Sequence, residues 1–356
     1  MLTKNWALVL SILYLTFFLG CALLADVLSL GFTPAQLDLQ HIYQPPFQWQ
    51  QTTSGQAIHW LGTDKLGHDL LANLVYGCRT ALLVSVPAML VALLIGLILG
   101  SMAGYYGDNS VRVSVSTLFI TLLFFPLGYF YGFYTRQFIL ADAFAAGEGL
   151  IALLVSLAIF TGILLIGYFV SKLLNRWGIG KKSVFLPIDQ IVLKLIELLS
   201  SIPRIIFILC LTAFAKPSLT NIILITGLTY WTEPARLIRA ELLRIRAMHY
   251  IESAKALGLA DVYILFRHAL PNALSSIIVA FTFGLTSLIA LESTLSFLGI
   301  GIPSDIPSWG KMIMSFRSNF TAWWLVVFPG IMLVCTVLAL QTCSSFVIKR
   351  LNPRRS

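Results

Sequence analysis

The residues with the clearest chemical pattern lie between Tyr250 and Asn272. Glu252, Ser253, Ala254, Ala256 and Gly258 are closely spaced, and Leu270 and Pro271 close the segment just before Asn272. Glu252 to Leu257 favours a helix, and Gly258 supplies the left-handed residue that ends it. Asp261 can then cap a second short helix, and Pro271 sits where a further helix can begin. The product is a helix-turn-helix lying along a membrane surface, whose small residues let another protein approach its backbone. Its chemistry is recognition and not bond making. Taken alone, the same segment is also what an ordinary basic loop looks like.

Other chemistry finds little support. The chain lacks GxxxxGK[ST] and GxGxxG, so it has no site with which to hydrolyse ATP itself. Asp26, Asp189 and Glu292 fall near the ends of apolar runs, and Glu197 sits among Lys194 and Arg204, so no acidic relay crosses a span. His59, His68, His249 and His268 are loop residues without a partner at metal-ligand spacing, which argues against a metal site or an intramembrane protease. Cys21, Cys78, Cys210, Cys335 and Cys343 form no CxxC pair and read as small apolar residues. No catalytic, cofactor-binding or metal-binding residue is expected, and the chain is not expected to be an enzyme.

The elements that carry these residues must be membrane helices. Of 356 residues, 58% are hydrophobic and only 11% charged, with a mean hydropathy of +0.87, and a polar shell cannot be built from so little. That excludes a soluble globular protein, a disordered chain and nucleic-acid binding through a basic face. The net charge of +9 belongs in cytoplasmic loops, where Arg236, Arg239, Arg244 and Arg246 are placed to meet lipid headgroups.

A helix crosses the hydrocarbon core in about 20 residues. Segments 7–30, 80–104, 113–135, 149–171 and 320–348 qualify, and 273–291 is a sixth that ends at Glu292. The region 188–232 is broken at Lys216-Pro217 and reads as a hairpin of two helices, 188–215 and 217–235. That arrangement puts sixteen of the 24 Lys and Arg on the side holding both termini and six on the other. The expectation is an all-α, multi-pass helical bundle of about eight spans with both termini cytoplasmic. Residues 1–30 form an uncut first helix, not a signal peptide. Segment 31–79 is extracytoplasmic, with Thr63 or Asp64 able to cap a helix. The second helix occupies 80–107, the loop 236–272 is cytoplasmic, and 349–356 is a cytoplasmic tail.

The spacing in the loop resembles the EAA signature of permease subunits of ABC importers. That signature is Glu, a small residue, Ala, three residues, Gly, nine residues, a variable pair and Leu-Pro. Glu252, Ala254, Gly258, Leu270 and Pro271 fill these places, with Ser253 where Ala is usual and His268 where many families have Ile. The Arg-His-x-Leu-Pro-Asn ending is that of the dipeptide, oligopeptide and nickel branch. Gly62-Thr63-Asp64-Lys65-Leu66-Gly67-His68-Asp69 with Tyr76-Gly77-Cys78-Arg79 resembles that branch's GTDxxGRD and YGxR segment, His68 replacing the usual Arg. Ala103 to Gly107 resembles its AGYYG. Glu292, Leu295 to Gly301 and Pro307-Ser308-Trp309-Gly310 resemble its E-x-x-LSFLGLG and PSWG. Singly these segments pass for a capped surface helix, an aromatic belt and an interfacial anchor. Their joint occurrence in order makes the resemblance specific.

The resemblance implies the type I permease fold of ABC importers, with six family spans and a pair of helices inserted at 108–187, whose simplest role is lipid-facing packing. The permease core is then 188–348. It implies a bacterial inner-membrane, non-catalytic subunit that pairs with a second homologous permease, two ABC ATPase subunits and an extracytoplasmic solute-binding protein. Glu252, Ser253, Ala254, Ala256, Gly258, Leu270 and Pro271 would couple to the ATPase. Gly62, Thr63, Asp64, Asp69, Arg79, Pro307, Ser308, Trp309 and Gly310 would face the binding protein. Peptides come first as cargo, with nickel or another small solute behind them. The other class, a secondary transporter or channel working without an ATPase, calls for an inverted repeat and mid-membrane ionisable residues, and the sequence has neither.

Overall fold

A computed structural model describes residues 6–28, 31–47, 58–145, 148–180 and 182–351. The tail assigned to 349–356 lies outside the described residues beyond Leu351, as do Lys4 and Lys181. Fifteen α-helices are described, numbered here in chain order. The chain divides into two compact units, one made of Met1–Tyr105 with Ile191–Ser356 and the other of Tyr106–Gln190.

In the first unit, α1 (Trp6–Leu24) and α2 (Leu70–Ser101) lead the chain. α2 starts well before the clean apolar run at residue 80, because Asp69 and not Thr63 or Asp64 caps it: the Asp69 carboxylate accepts from Ala72 N at 2.8 Å. The helix then carries Arg79 and Pro87 inside it and runs on as a π-helical turn, Met102–Tyr106. Gly96, Gly100 and Gly104 lie on one face of this run. A Cβ on any of them would meet α9 (Thr232–Arg246) at 2.6–2.7 Å, so these glycines let the two backbones approach closely. α13 (Leu274–Phe297), α14 (Trp309–Ser315) and α15 (Trp324–Leu351) complete the helical bundle of this unit.

The second unit holds α3 (Val115–Tyr129), α4 (Gln137–Ala145) and α5 (Gly149–Arg176). Two short antiparallel strands, Arg112–Ser114 and Ser183–Phe185, close its base. Ser114 caps α3, and Asn175 ties the cap to α5 by donating to Ser114 Oγ at 2.9 Å while accepting from Ser116 Oγ at 2.7 Å.

Among the described residues, six helical runs are long and apolar enough to cross a membrane: Trp6–Leu24, Leu70–Tyr106, Val115–Tyr134, Gly149–Arg176, Leu274–Phe297 and Trp324–Arg350. α6 (Ile188–Ser200) and α7 (Arg204–Phe214) meet at a 78° bend over Ser201-Ile202-Pro203 and make a seventh only if counted as one broken span. The eighth expected span, 217–235, is not found as a separate long helix. α8 (Leu219–Tyr230) has 12 residues and is followed across Trp231 by the basic α9. The count of about eight is therefore not confirmed.

Candidate functional site

Two clusters of the singled-out residues form in the first unit, at opposite ends of α2. At about 1.5 Å per residue the 32 residues of α2 separate them by roughly 48 Å.

At the C-terminal end of α2 stands the loop from α9 to α13. α10 (His249–Ala256) ends in a Schellman motif: Gly258 at φ +77° takes the left-handed position, its N–H donating to Lys255 O, while Leu259 N–H donates to Ala254 O. The loop stands on buried Ile251, Ile264, Leu265 and Ala269. Glu252, Ser253, Ala256, Gly258 and Pro271 are exposed, Leu257 is 80% exposed, Leu270 is half-buried, and Ala254 is buried. A Cβ on Gly258 would meet nothing in this chain within 4 Å. Asn272 fastens the two arms of the loop, donating to Tyr250 Oη at 3.2 Å and to His268 O at 2.7 Å.

One expectation for this loop is corrected. Asp261 does not cap the second short helix α11 (Asp261–Ile264), whose N-cap is Ala260. Asp261 is instead the first residue of that helix, and its carboxylate accepts from Tyr105 Oη at 3.0 Å and lies 3.5 Å from Lys255 Nζ. Tyr105, from the AGYYG segment, is thereby joined to the loop. Pro271 does open a helix, lying at the start of α12 (Leu270–Asn272).

At the N-terminal end of α2 the three remaining motif segments meet. Trp309 is 1% exposed; its indole N–H donates to Leu74 O at 3.1 Å, and its ring lies where a Cβ on Gly77 would stand 2.5 Å away. A Cβ on Gly310 would come within 2.0 Å of Ser293 O, so the PSWG turn rests directly on the backbone of α13. Glu292 is 3% exposed and accepts from Ser308 Oγ at 2.8 Å, Ser296 Oγ at 3.0 Å and Ser293 Oγ at 3.2 Å. Trp324 of α15 donates to Thr63 O at 3.0 Å. Tyr76 donates to Asp26 at 3.0 Å, and Arg79 grips the same carboxylate with two bonds of 3.0 and 2.7 Å while donating to Ala22 O. Thr63, Asp69, Ser308, Trp309, Gly62 and Gly310 are buried, whereas Asp64, Arg79 and Pro307 are partly exposed.

The Gly62–Asp69 turn is also the seat of the segment before it. Gly62 and Gly67 have φ of +86° and +77°, and a Cβ on them would strike Gln44 O at 2.4 Å and Asp38 O at 1.9 Å. His68 Nδ1 lies 2.9 Å from Asp64 Oδ2. Burial pushes the Asp64 carboxyl up, but the bonds from His68 and the backbone N–H of Leu66 outweigh it and hold the group below its ordinary range. His59 is 4% exposed, with Nδ1 at 3.0 Å from Asp69 Oδ1 and Nε2 at 3.3 Å from Asp38 Oδ2. Sequence spacing gives His59 no partner at metal-ligand spacing, because Asp38 and Asp69 are 21 and 10 residues away along the chain; Asp38 and His41 carry no local signal at all.

Comparison with known proteins decides the family. Residues 179–356, half of the chain, match the family described as binding-protein-dependent transport system inner membrane component. The chain belongs to this family. It is accordingly a permease subunit of an ABC importer and a multi-pass protein of the inner membrane. It is 25% identical to the dipeptide transport system permease protein DppC of Alkalihalophilus pseudofirmus over 354 residues, 99% of this chain and 88% of the relative. With DppC of Bacillus subtilis the identity is 26%, covering 86% of this chain and 72% of that one. With the glutathione transport system permease protein GsiD of Pectobacterium atrosepticum it is 26%, covering 86% and 77%. The permease family works with ATPase and substrate-binding partners, so the two clusters on α2 are candidates for meeting them.

Proposed function

We propose that the chain forms half of the translocation path of a peptide importer, that its α10 loop couples it to an ATPase, and that both termini are cytoplasmic. The observation that carries the coupling reading is the loop itself. Exposed Glu252, Ser253, Ala256 and Gly258 are presented on a tip that a buried base and the Tyr105–Asp261 bond hold in place. Leu257, Val262 and Phe266 add apolar surface at 80%, 57% and 65% exposure, which a partner groove would cover.

ATP binding would draw two ATPase subunits together, and a rigid tip seated on one of them would convert that approach into rocking of the helices of this chain and a second, related permease. Alternating access then needs different loop contacts in two states and no chemistry in this chain. The peptide assignment rests on the relatives named for dipeptides and glutathione, with nickel or another small solute as the next candidates. Where the Gly62–Arg79 and Pro307–Gly310 segments meet a binding protein, their buried members give the surface its shape. The exposed Trp60, Lys65 and Leu66 are the side chains that would touch it.

Affinity purification of the tagged, detergent-solubilised chain tests the reading. A second permease and P-loop ATPases should come with it, be lost on Gly258→Leu while the chain stays inserted, and support dipeptide uptake when reconstituted with the binding protein. A lone, folded chain with no ATPase across several mild detergents would instead point to a self-sufficient channel or secondary transporter.

A further inference from the structure

Two imidazoles of the segment before α2, those of His41 and His59, face one carboxylate oxygen. His41 Nδ1 lies 2.8 Å and His59 Nε2 lies 3.3 Å from the same atom, Asp38 Oδ2, and the three ligand atoms all fall within 4.8 Å of one another. The 3.3 Å separation is long for a charge-assisted hydrogen bond, whose usual length is about 2.7–2.9 Å. It is close to the spacing of two ligands on one tetrahedral ion, about 3.3 Å for metal–ligand bonds of about 2.0–2.1 Å, whereas the 2.8 Å His41 contact has hydrogen-bond length and opens by about 0.5 Å to admit an ion.

The surroundings are those of a metal-ligating histidine. The ring nitrogen of His59 not facing Asp38 is held by the buried Asp69 at 3.0 Å, and Asp69 is fixed in turn as the N-cap of α2. A carboxylate on the far nitrogen sets the ring's tautomer and raises its basicity as a ligand. Phe32 stacks on the His59 ring, centroids 4.0 Å apart, and limits its rotation. The Asp38 backbone is pinned against Gly67, and its second oxygen accepts from Gln40 N at 3.1 Å, leaving Oδ2 for the ion. His59 closes the back of the site, while Asp38 and His41 side chains remain about one quarter exposed and give an ion a way in.

We propose that Asp38, His41 and His59 bind one divalent transition-metal ion of the zinc type, with Asp69 positioning His59 and a fourth position open to water. Two imidazole nitrogens and one carboxylate oxygen favour zinc or a similar ion over calcium or magnesium, which take oxygen ligands. Such an ion would staple the 31–47 segment to the foot of α2. The inference rests on this cluster alone and does not depend on the cargo or the coupling mechanism proposed above.

The full-length chain, purified through a tag without histidines and stripped with chelator, is dialysed against Zn2+ and its bound metal counted; Co2+ replaces zinc as a reporter of geometry. One ion per chain is expected, with the visible absorption of tetrahedral Co2+ and slower proteolysis in the 31–60 region when zinc is bound. His41→Ala and Asp38→Asn should each weaken zinc binding by at least about tenfold. His41→Ala gives up the His41–Asp38 pair with or without metal, so its melting is compared with that of the parent in each state, and the increment that zinc adds to the parent should be lost. Zinc bound equally by parent and variants would place the ion elsewhere and overturn the proposal. No ion retained by the parent would mean that the three side chains share protons alone, and would overturn it as well.

Discussion

Tyr105 donates its phenolic hydroxyl to Asp261 across 3.0 Å, joining the end of α2 to the loop that carries Glu252 and Gly258. Tyr105 is 1% exposed, and Lys255 Nζ stands 5.2 Å from its ring centre as well as beside Asp261. These contacts tie three elements to one another: the π-helical extension of α2, α10 and α11. If α10 seats on an ATPase as proposed, this contact offers a route from its tip to the long helix that does not run through α13.

Removing that hydroxyl tests the connection. Tyr105→Phe keeps the ring, its packing and its cation contact, and loses a bond worth about 1 kcal/mol in a half-exposed setting. The chain should insert, and its ATPase partners should still bind it. Transport-coupled ATPase stimulation in the reconstituted complex should fall several-fold. Unchanged stimulation at unchanged assembly would remove Tyr105 from the coupling route.

Much of this was legible in the sequence, and what was not has physical causes. The left-handed Gly258 and the helix before it followed from local propensity, since a Schellman end needs only a few adjacent residues. Asp261 was misassigned because a capping aspartate and one held by a tyrosine 156 residues away look alike along the chain. The sequence places the start of the second helix at residue 80, later than the observed Leu70, because Arg79 interrupts the apolar run and its tertiary partner, Asp26, lies 53 residues earlier. The eight-span count is not confirmed at α8, where a 12-residue helix is apolar enough to suggest a span but short for one unaided. The approach of Asp38 and His41 to His59 depends on Gly62 and Gly67, whose bare backbones let a distant segment lie on them.

Gly258 separates two roles that a single substitution confounds. Its φ of +77° disfavours any residue with a Cβ, by about 1 kcal/mol, yet no atom of this chain occupies the space a side chain would enter. Asn tolerates this backbone better than Leu or Ala. If the glycine serves close approach of an ATPase, Gly258→Asn will fold normally and still lose ATPase co-purification, as Gly258→Leu does. Retention of the ATPase by Gly258→Asn would reduce the glycine's role to its backbone angle.

Glu292 and Ser308 link α13 to the PSWG turn inside the protein. Ser308→Ala takes away the shortest of the three bonds made to a buried carboxylate, an interaction worth about 1–3 kcal/mol when it cannot be replaced by water. The variant should unfold several degrees earlier in detergent, and Ser308→Thr, which keeps the hydroxyl, should recover part of the loss. Equal melting of the alanine variant and the parent would mean that water reaches Glu292.

The contact between Gly77 and Trp309 predicts a coupled pair. Gly77→Ala would place its methyl 2.5 Å from Trp309 Cδ1 and 2.6 Å from Nε1. The ring cannot slide away freely, because its N–H is bonded to Leu74 O one turn earlier on the same helix. Overpacking of this kind costs about 1–3 kcal/mol, and the indole bond adds about 1 kcal/mol if it breaks. Trp309→Leu alone should also destabilise the protein, by leaving a cavity between α2 and α14. Combined, the two substitutions should cost clearly less than the total of the separate effects, since the smaller side chain removes the clash that makes Gly77→Ala harmful. Thermal unfolding of the three solubilised variants measures this directly. Strict additivity would show that the two residues act independently, and that some other contact holds the PSWG turn against the foot of α2.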